Sequence, residues 1–463
     1  MGSIVVCGGG VIGLLSAIML ARDGHQVTVV EADSADVPAT PGEAWESWPR
    51  KGVAQFRQPH NLFSRFRQVC DEELPDMTGR LLAAGCVWRD LLAPPPPTLT
   101  DREPRPGDDV LRFVTGRRPV VEYAVAVAAA GQPGLVIRRD VRVTALAPGP
   151  CAIPGVPHVA GVHTSTGEQL RADLVVDAMG RRSRAGLLTA IGAREPHVEA
   201  EDCGFVYYTR YFTGPSRPAR LGPSLVPIGT ISLVTIDSDN DTWSVTVFSS
   251  SGDAPLKALR DPECFTRLIR ACPWQAHWLD AQPITGVLAM AGVMDRYRRF
   301  VVDGSPVVTG YAAVGDAWAC TNPSAGRGIS VGIVHAQLLR RVVRDHLGDP
   351  AGFARAWDEG TEQQVAPFYW NQIRSDRTRL AEMTALREGR TWTPDGSLMS
   401  RLAAAAPYDA DLFRAFLQIF TCLALPQEVF QRPAIREKIE HSDHQATPVP
   451  GPNRQQLLDL LSA

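Results

Sequence analysis

Two glycine-bearing segments carry the residue types and spacings in this chain best suited to chemistry: Gly8-Gly9-Gly10-Val11-Ile12-Gly13, and Gly315-Asp316 continuing through Asn322-Pro323 to Gly326-Arg327-Gly328. Both suit the holding of an anionic ligand. In the first, Gly8 fits a tight turn, Gly10 admits close approach of a pyrophosphate, and Gly13 lets a helix pack onto a strand. Glu31, with Ala32 beside it, follows about twenty residues later, where a carboxylate can accept from ribose hydroxyls. In the second, Asp316 offers a carboxylate to a ribityl hydroxyl. Gly326 and Gly328 open an apolar helix whose free amides face anionic oxygens. A simple nicotinamide enzyme needs no second grip so late in the chain, so the pair predicts FAD.

The elements that must position these residues are legible around them. Ile4 to Val6 reads as a buried strand, Gly10 to Ala21 as a helix stopped at Asp23-Gly24, and Gln26 to Val30 as the next strand. Arg118 opens an apolar helix ending at Gly131, and strands follow to Asp177-Ala178-Met179-Gly180. Beyond Pro196 come segments rich in aromatic and β-branched residues, 204–212, 229–236, 242–249 and 284–290, which predict an antiparallel sheet walling a substrate cavity. Val307 to Val314 and the helix 329–343 return to the first domain. The expected fold is therefore α/β: a Rossmann-like FAD-binding domain of GR2 type, an inserted antiparallel-sheet substrate domain, and a helical C-terminal region. The boundaries expected are 1–190 (with a crossing segment near 75–115 lent to the substrate domain), 191–292, 293–348 and 349–463, with a loose tail after His441.

Composition narrows the function classes. A net charge of −3 over 463 residues, with no long basic run, argues against a nucleic-acid binder. No apolar run reaches the length of a membrane span, and the nine cysteines form no CxxC, so a soluble cytoplasmic protein without a metal site is expected. No triad or carboxylate pair stands out, and no catalytic side chain is singled out.

Three segments, Gly8 to Gly13, the stretch Asp173 to Ser183, and Gly315-Asp316 with Asn322-Pro323, resemble the FAD-dependent monooxygenases of the p-hydroxybenzoate hydroxylase fold. The resemblance covers about residues 1 to 345. The stretch around Asp177 is similar to that family's VVDATG sequence, with Met179 in place of threonine. Arg50 to Gln55 resembles the RKGVPQ loop of a branch of natural-product epoxidases and hydroxylases of actinobacterial type. Carried across, the resemblance places Gly8, Gly10, Val11, Ile12, Gly13, Glu31 and Ala32 on the ADP half, and Val143 with its backbone at adenine. It sets Arg118 near the ribityl and phosphate groups, Asp177 and Gly180 on the pyrophosphate side, and Gly315 and Asp316 at the ribityl chain. Pro323, Gly326, Arg327 and Gly328 fall along the flavin ring, and Gln55 and Arg57 approach it.

The chemistry so implied is insertion of one oxygen atom from O2 into a small apolar or aromatic substrate, by hydroxylation or epoxidation through a flavin C4a-hydroperoxide, in secondary metabolism. Electrons would come from NAD(P)H or from a partner flavin reductase, and the substrate would be free or tethered to a carrier. Two competitors share the fold: a non-oxygenating reductase of the geranylgeranyl-reductase type, and a flavin halogenase. The halogenases need an active-site lysine and a WxWxIP signature, whereas Trp243 is followed by Ser-Val-Thr and the chain has three lysines, Lys51, Lys257 and Lys438.

Overall fold

The computed structural model describes residues 1–462. Its nucleotide domain is built on a five-stranded parallel sheet in the spatial order Tyr311–Ala313, Leu174–Asp177, Ser3–Cys7, Gln26–Val30, Leu135–Arg138. The Ser3–Cys7 strand is central because Ile4 to Cys7 are all buried, as a parallel strand covered on both faces requires. Helix Val11–Arg22 follows, buried over most of its length, and Gly24 with φ +87° turns the chain into the next strand. Helix Arg118–Ala130 spans the residues read from the sequence. Strand Tyr311–Ala313 pairs with Leu174–Asp177, so the chain does return to its first sheet after a long excursion.

That excursion contains the expected antiparallel sheet: Leu225–Ile228, Ile231–Asp237, Thr242–Ser250, Phe205–Thr213 and Gln282–Pro283 in spatial order, with Leu288–Met290 also on Phe205–Thr213. One face packs Val206, Tyr208 and Phe212 against helix Pro262–Arg270. The other presents Tyr207, Thr209 and Tyr211, by the alternation of a strand, to the nucleotide domain.

Several local expectations differ from what forms. The sequence pattern predicts a strand over 110–114, but Asp108–Leu111 form a 3-10 turn and the strand is Phe113–Arg117, flanked by Pro59–Leu62 and Val87–Arg89. Of the segment 284–290 only Leu288–Met290 is strand, and a separate short strand, Gln282–Pro283, precedes it. Strand Met294–Arg299, assigned to the return segment, instead pairs with His197–Asp202 and with Ala319–Cys320. The tail after His441 is irregular only to Asn453. Helix Arg454–Ser462 then docks on the substrate domain, where Leu457 joins its core and Arg454 pairs with Asp253 at 2.6 Å. The leucines at 457, 458, 460 and 461 make this helix amphipathic, a period hidden behind the polar stretch before it. Among the described residues no helix is long and apolar enough to cross a membrane.

Candidate FAD and substrate site

At the C-terminal end of the central strand the chain passes through Gly8 at φ +114°, where a Cβ would stand 2.5 Å from the Ala178 carbonyl oxygen. A Cβ on Gly13 would lie 2.1 Å from the Gly8 carbonyl oxygen, so the packing of turn and helix forbids any side chain there. Gly10 is different: a Cβ there meets nothing within 4 Å. The helix it starts has no side-chain cap, so amides of its first turn face open space. Unpaired donors, a helix dipole and an open cradle are what a pyrophosphate needs, so these residues fit an FAD.

Glu31 organises this turn from below. Its Oε2 accepts from the Gly9 N–H at 2.8 Å and its Oε1 from the Asp33 N–H at 2.8 Å. Arg50, outside the expected site set, is buried here and donates from Nη2 to the Gly9 carbonyl at 3.0 Å. It also lies 3.3 Å from Glu31, 3.2 Å from Glu122 and 3.7 Å from Asp33. Burial alone would lower its pKa, but Glu122, Glu31 and Asp33 outweigh that and raise it. Its Nη1 is buried without a hydrogen-bond partner, a donor left over beside the cradle.

Arg118 sits at the helix start as expected, donating to Glu122 Oε1 at 2.7 Å and meeting His60 Nε2 at 3.1 Å. Burial, then the Arg118 charge, lowers the His60 pKa to about 3. His60 is therefore neutral at pH 7. Its Nδ1 lies 2.8 Å from the Gln58 carbonyl, which can only accept, so Nδ1 carries the proton and Nε2 accepts from Arg118.

The second segment lies against the first. Ile12 packs under both Gly315 and Gly332, where added Cβ atoms would be 3.5 and 2.6 Å from its side chain. Gly315, with φ +56°, donates its N–H to His335 Nδ1 at 3.2 Å, and His335 stacks on Trp357 with centroids 4.5 Å apart. The Asp316 carboxylate makes no hydrogen bond among the described residues, and its nearest cation is Arg181 Nε at 3.8 Å. It is free to accept from a hydroxyl donor. Helix Gly328–His346 also begins without a side-chain cap, and a Cβ on Gly328 meets nothing within 4 Å. A cleft lined by Asp316, Thr321, Arg327, Gly328, Val331 and Tyr369 opens at this point.

Other expected site residues are placed differently. The Asp177 carboxylate is buried and accepts from the Met179 N–H at 2.9 Å, the Ser183 hydroxyl at 2.5 Å and the Tyr311 hydroxyl at 2.6 Å, so it fixes the turn at Gly180 from behind. Arg327 turns away to the C-terminal helices, donating to the Phe420 carbonyl at 3.3 Å. Gln55 is half-buried, Pro323 and Gly326 are half-buried on the second loop, Ala32 is exposed, and Val143 begins the strand Val143–Ile153 opposite Thr164. Arg57 lies on the Trp45 ring at 4.6 Å, and Trp45 in turn packs on Tyr211 of the substrate sheet.

Two unforeseen arginines tie the site's turns together. Arg296 donates to the carbonyls of Arg181 at 3.3 Å and Asp316 at 3.2 Å. Arg298 donates to the Ser183 hydroxyl at 2.6 Å and the Ala317 carbonyl at 2.9 Å. The alternation Arg296-Tyr297-Arg298 on one strand was the available signal, since it puts both guanidinium groups on one face.

The loop around Asn322 is gripped by three elements. Asn322 donates its N–H to Asp295 Oδ1 at 2.5 Å and accepts from the Tyr207 hydroxyl at 2.5 Å. Asp376, on helix Ala366–Arg387, accepts from Ser324 at 2.7 Å and Gln372 at 2.8 Å. Burial raises Asp295 from 3.8 to about 7, with the Asp376 charge adding to it. Asp376 rises from 3.8 to about 6, again through burial. Both keep protons in the folded state at pH values where the unfolded chain has lost them, so they favour folding at low pH. That contribution declines as pH rises from about 4 and is gone above about 7. Urea titrations of native chain and Asp376→Asn across this window are expected to show a smaller fall in stability for the variant.

Comparison with known proteins agrees with the fold. Residues 3–46 match the protein family described as pyridine nucleotide-disulphide oxidoreductase. No curated protein sequence matches the chain. Among solved structures, PqsL of Pseudomonas aeruginosa, described as a probable FAD-dependent monooxygenase, superposes with a TM-score of 0.56 at 18% identity, over 83% of this chain and 99% of that one. The flavin-dependent brominase Bmp2 gives 0.59 at 16%, over 94% and 98%. The myxobacterial chondrochloren halogenase CndH, a variant of the FAD-dependent halogenases, gives 0.59 at 16%, over 99% and 95%. The chain thus has the fold of the FAD-dependent monooxygenases and halogenases, and its residues 3–46 are similar to the pyridine nucleotide-disulphide oxidoreductases.

Proposed function

We propose that the chain is an FAD-dependent monooxygenase that inserts one oxygen atom from O2 into a small apolar or aromatic substrate. The observation that carries this reading is the convergence of two uncapped helix N-termini and the unpartnered Asp316 carboxylate at one end of the parallel sheet, beside an antiparallel sheet. Bound there, FAD would supply the electron transfer and the activation of O2.

The chain's own residues bind, orient and exclude water. First-turn amides after Gly10 would hold the pyrophosphate, Asp316 a ribityl hydroxyl, and the amides after Gly328 the electron-rich edge of the ring. Tyr207 and Thr209 reach from the sheet to Asn322 and Gln58, closing the site on its substrate side. Electrons from NAD(P)H, or from a partner reductase, complete the cycle.

Halogenation is the weaker alternative despite the likeness to halogenases. Lys51, Lys257 and Lys438 are all exposed, and Lys438 is paired with Asp409 at 2.8 Å. The test is dioxygen consumption by the FAD-loaded chain with NAD(P)H or a flavin reductase and a panel of aromatic and alkene substrates, using isotope-labelled O2. Label in the product supports the proposal. Turnover that proceeds only without O2 supports a reductase and overturns it.

A further inference from the structure

Two carboxylates bracket the loop that leads into helix Gly328–His346, and among the described residues neither forms an ion pair. Asp295 reaches the loop from strand Met294–Arg299 through the Asn322 N–H, and Asp376 reaches it from helix Ala366–Arg387 through the Ser324 hydroxyl at 2.7 Å. Gln372 completes the second contact, its Nε2 donating to Asp376 Oδ2 at 2.8 Å and to Ser324 at 2.9 Å. Asp295 and Asp376 are both buried, whereas the buried Glu31 and Asp239 each face a guanidinium group. Two dehydrated acids without cations therefore sit on one short loop, where a negative charge is costly.

The place of Asp376 gives this a consequence. Gln372 lines the cleft together with Asp316, Thr321, Arg327 and Gly328, so Asp376 lies one side chain behind the cleft wall. The groups facing it are Gln372 on its own helix, Asn322, Ser324 and Arg327 on the loop, Asp295 on its strand, and Tyr207 and Cys203 at the substrate sheet. Burial, the largest influence, raises its carboxyl group to about 6, while Gln372, Ser324, Asn322 and the Arg327 charge pull the other way. Asp376 is thus ionised near pH 8 and protonated near pH 5. In its ionised form it opposes any negative charge gained in the cleft, and in its protonated form it does not.

We propose that Asp376 is a positioning residue for the flavin: its carboxyl group holds the loop 322–326 in place, and its charge sets how readily a ring bound in the adjoining cleft accepts electrons. This rests on the reading that the cleft takes the flavin ring, and not on oxygen insertion. A hydride from NAD(P)H brings two electrons and one proton, and leaves one negative charge on the ring. Asp376, where ionised, then takes up to one further proton from solvent and becomes neutral. Above about pH 6 reduction is therefore linked to that proton, and the ring is harder to reduce than beside a neutral side chain.

The test is the midpoint potential of the bound flavin in the FAD-loaded full chain, read by anaerobic spectroelectrochemical titration over this pH range for the native chain, Asp376→Asn and Ser324→Ala. Asp376→Asn keeps an oxygen for Ser324 but has no charge. The two potentials are expected to agree at the acid end. At the alkaline end the native ring should be about tenfold harder to reduce, about 30 mV for two electrons, the scale of one charge acting across a layer of side chains. Ser324→Ala removes a hydrogen bond that favours the ionised acid, so the bend in the native curve is expected to move to higher pH. Equal potentials at every pH, or a constant offset such as a purely structural role would give, would overturn the proposal. If Asp376→Asn releases its flavin, native chain against Ser324→Ala decides, and an unmoved bend overturns it. No O2 or product enters the measurement. A pH-linked potential in a chain that never oxygenates anything would sink the monooxygenase reading alone, and an oxygenating chain without that linkage would sink this proposal alone.

Discussion

Gly10→Val is expected to leave the chain folded and to weaken FAD binding by at least about 100-fold. The space at Gly10 is open, so the new side chain meets no protein atom within 4 Å at its Cβ. It instead occupies the cradle over the first-turn amides and costs about two charge-assisted hydrogen bonds, roughly 3 kcal/mol in all. Gly13→Ala is the contrasting substitution. Its Cβ would fall 2.1 Å from the Gly8 backbone oxygen, so turn and helix must separate, and both stability and flavin are lost. Flavin titration by fluorescence quenching, together with the apoprotein's melting temperature, separates the two. An unchanged FAD affinity in Gly10→Val would mean that the cradle is not where the pyrophosphate lies.

The second large effect belongs to Arg50. Its side chain is buried among Glu31, Glu122 and Asp33, so Arg50→Ala leaves a cluster of buried carboxylates without their cation. Removal of one partner from such a cluster costs about 3–5 kcal/mol. The Gly9 carbonyl also loses its donor, so the turn that carries Gly10 loosens at the same time. Arg50→Lys should recover only part of the loss, because a single ammonium cannot face Glu31, Glu122 and the Gly9 carbonyl together. Urea denaturation followed by tryptophan fluorescence measures this directly. A native-like midpoint in Arg50→Ala would show that the carboxylates are compensated from elsewhere.

The parts of this structure legible from sequence are those in which one residue type serves one local need. Gly8 and Gly13 had to be glycine because backbone approaches them, and Arg118 opens its helix where Pro119 fixes the first turn. Strands read as strands where apolar alternation was long, as in Phe205–Thr213 and Thr242–Ser250. What could not be read depended on partners far away in the chain. Asp177 looked available for a cofactor, yet Tyr311 and Ser183 claim its carboxylate. Arg57 sits in a loop with both sides open to it, and only the position of Trp45, packed on Tyr211, decides where it lies. The strand alternation puts Arg296 and Arg298 on one face, but the carbonyls they hold, those of Asp316 and Ala317 among them, carry no mark in a sequence. Arg327 points to Phe420, across a distance that no spacing encodes.

The central claim is that two segments three hundred residues apart in the chain, Gly8 to Gly13 and Gly315 to Gly328, build one site for one FAD. The most direct measurement is quantitation of the cofactor released on denaturing the purified chain after incubation with excess FAD and NAD(P) and removal of the unbound nucleotides. One FAD per chain, with no retained nicotinamide nucleotide, is the predicted result. A chain that retains NAD(P) in place of FAD, or that binds neither, would contradict the account.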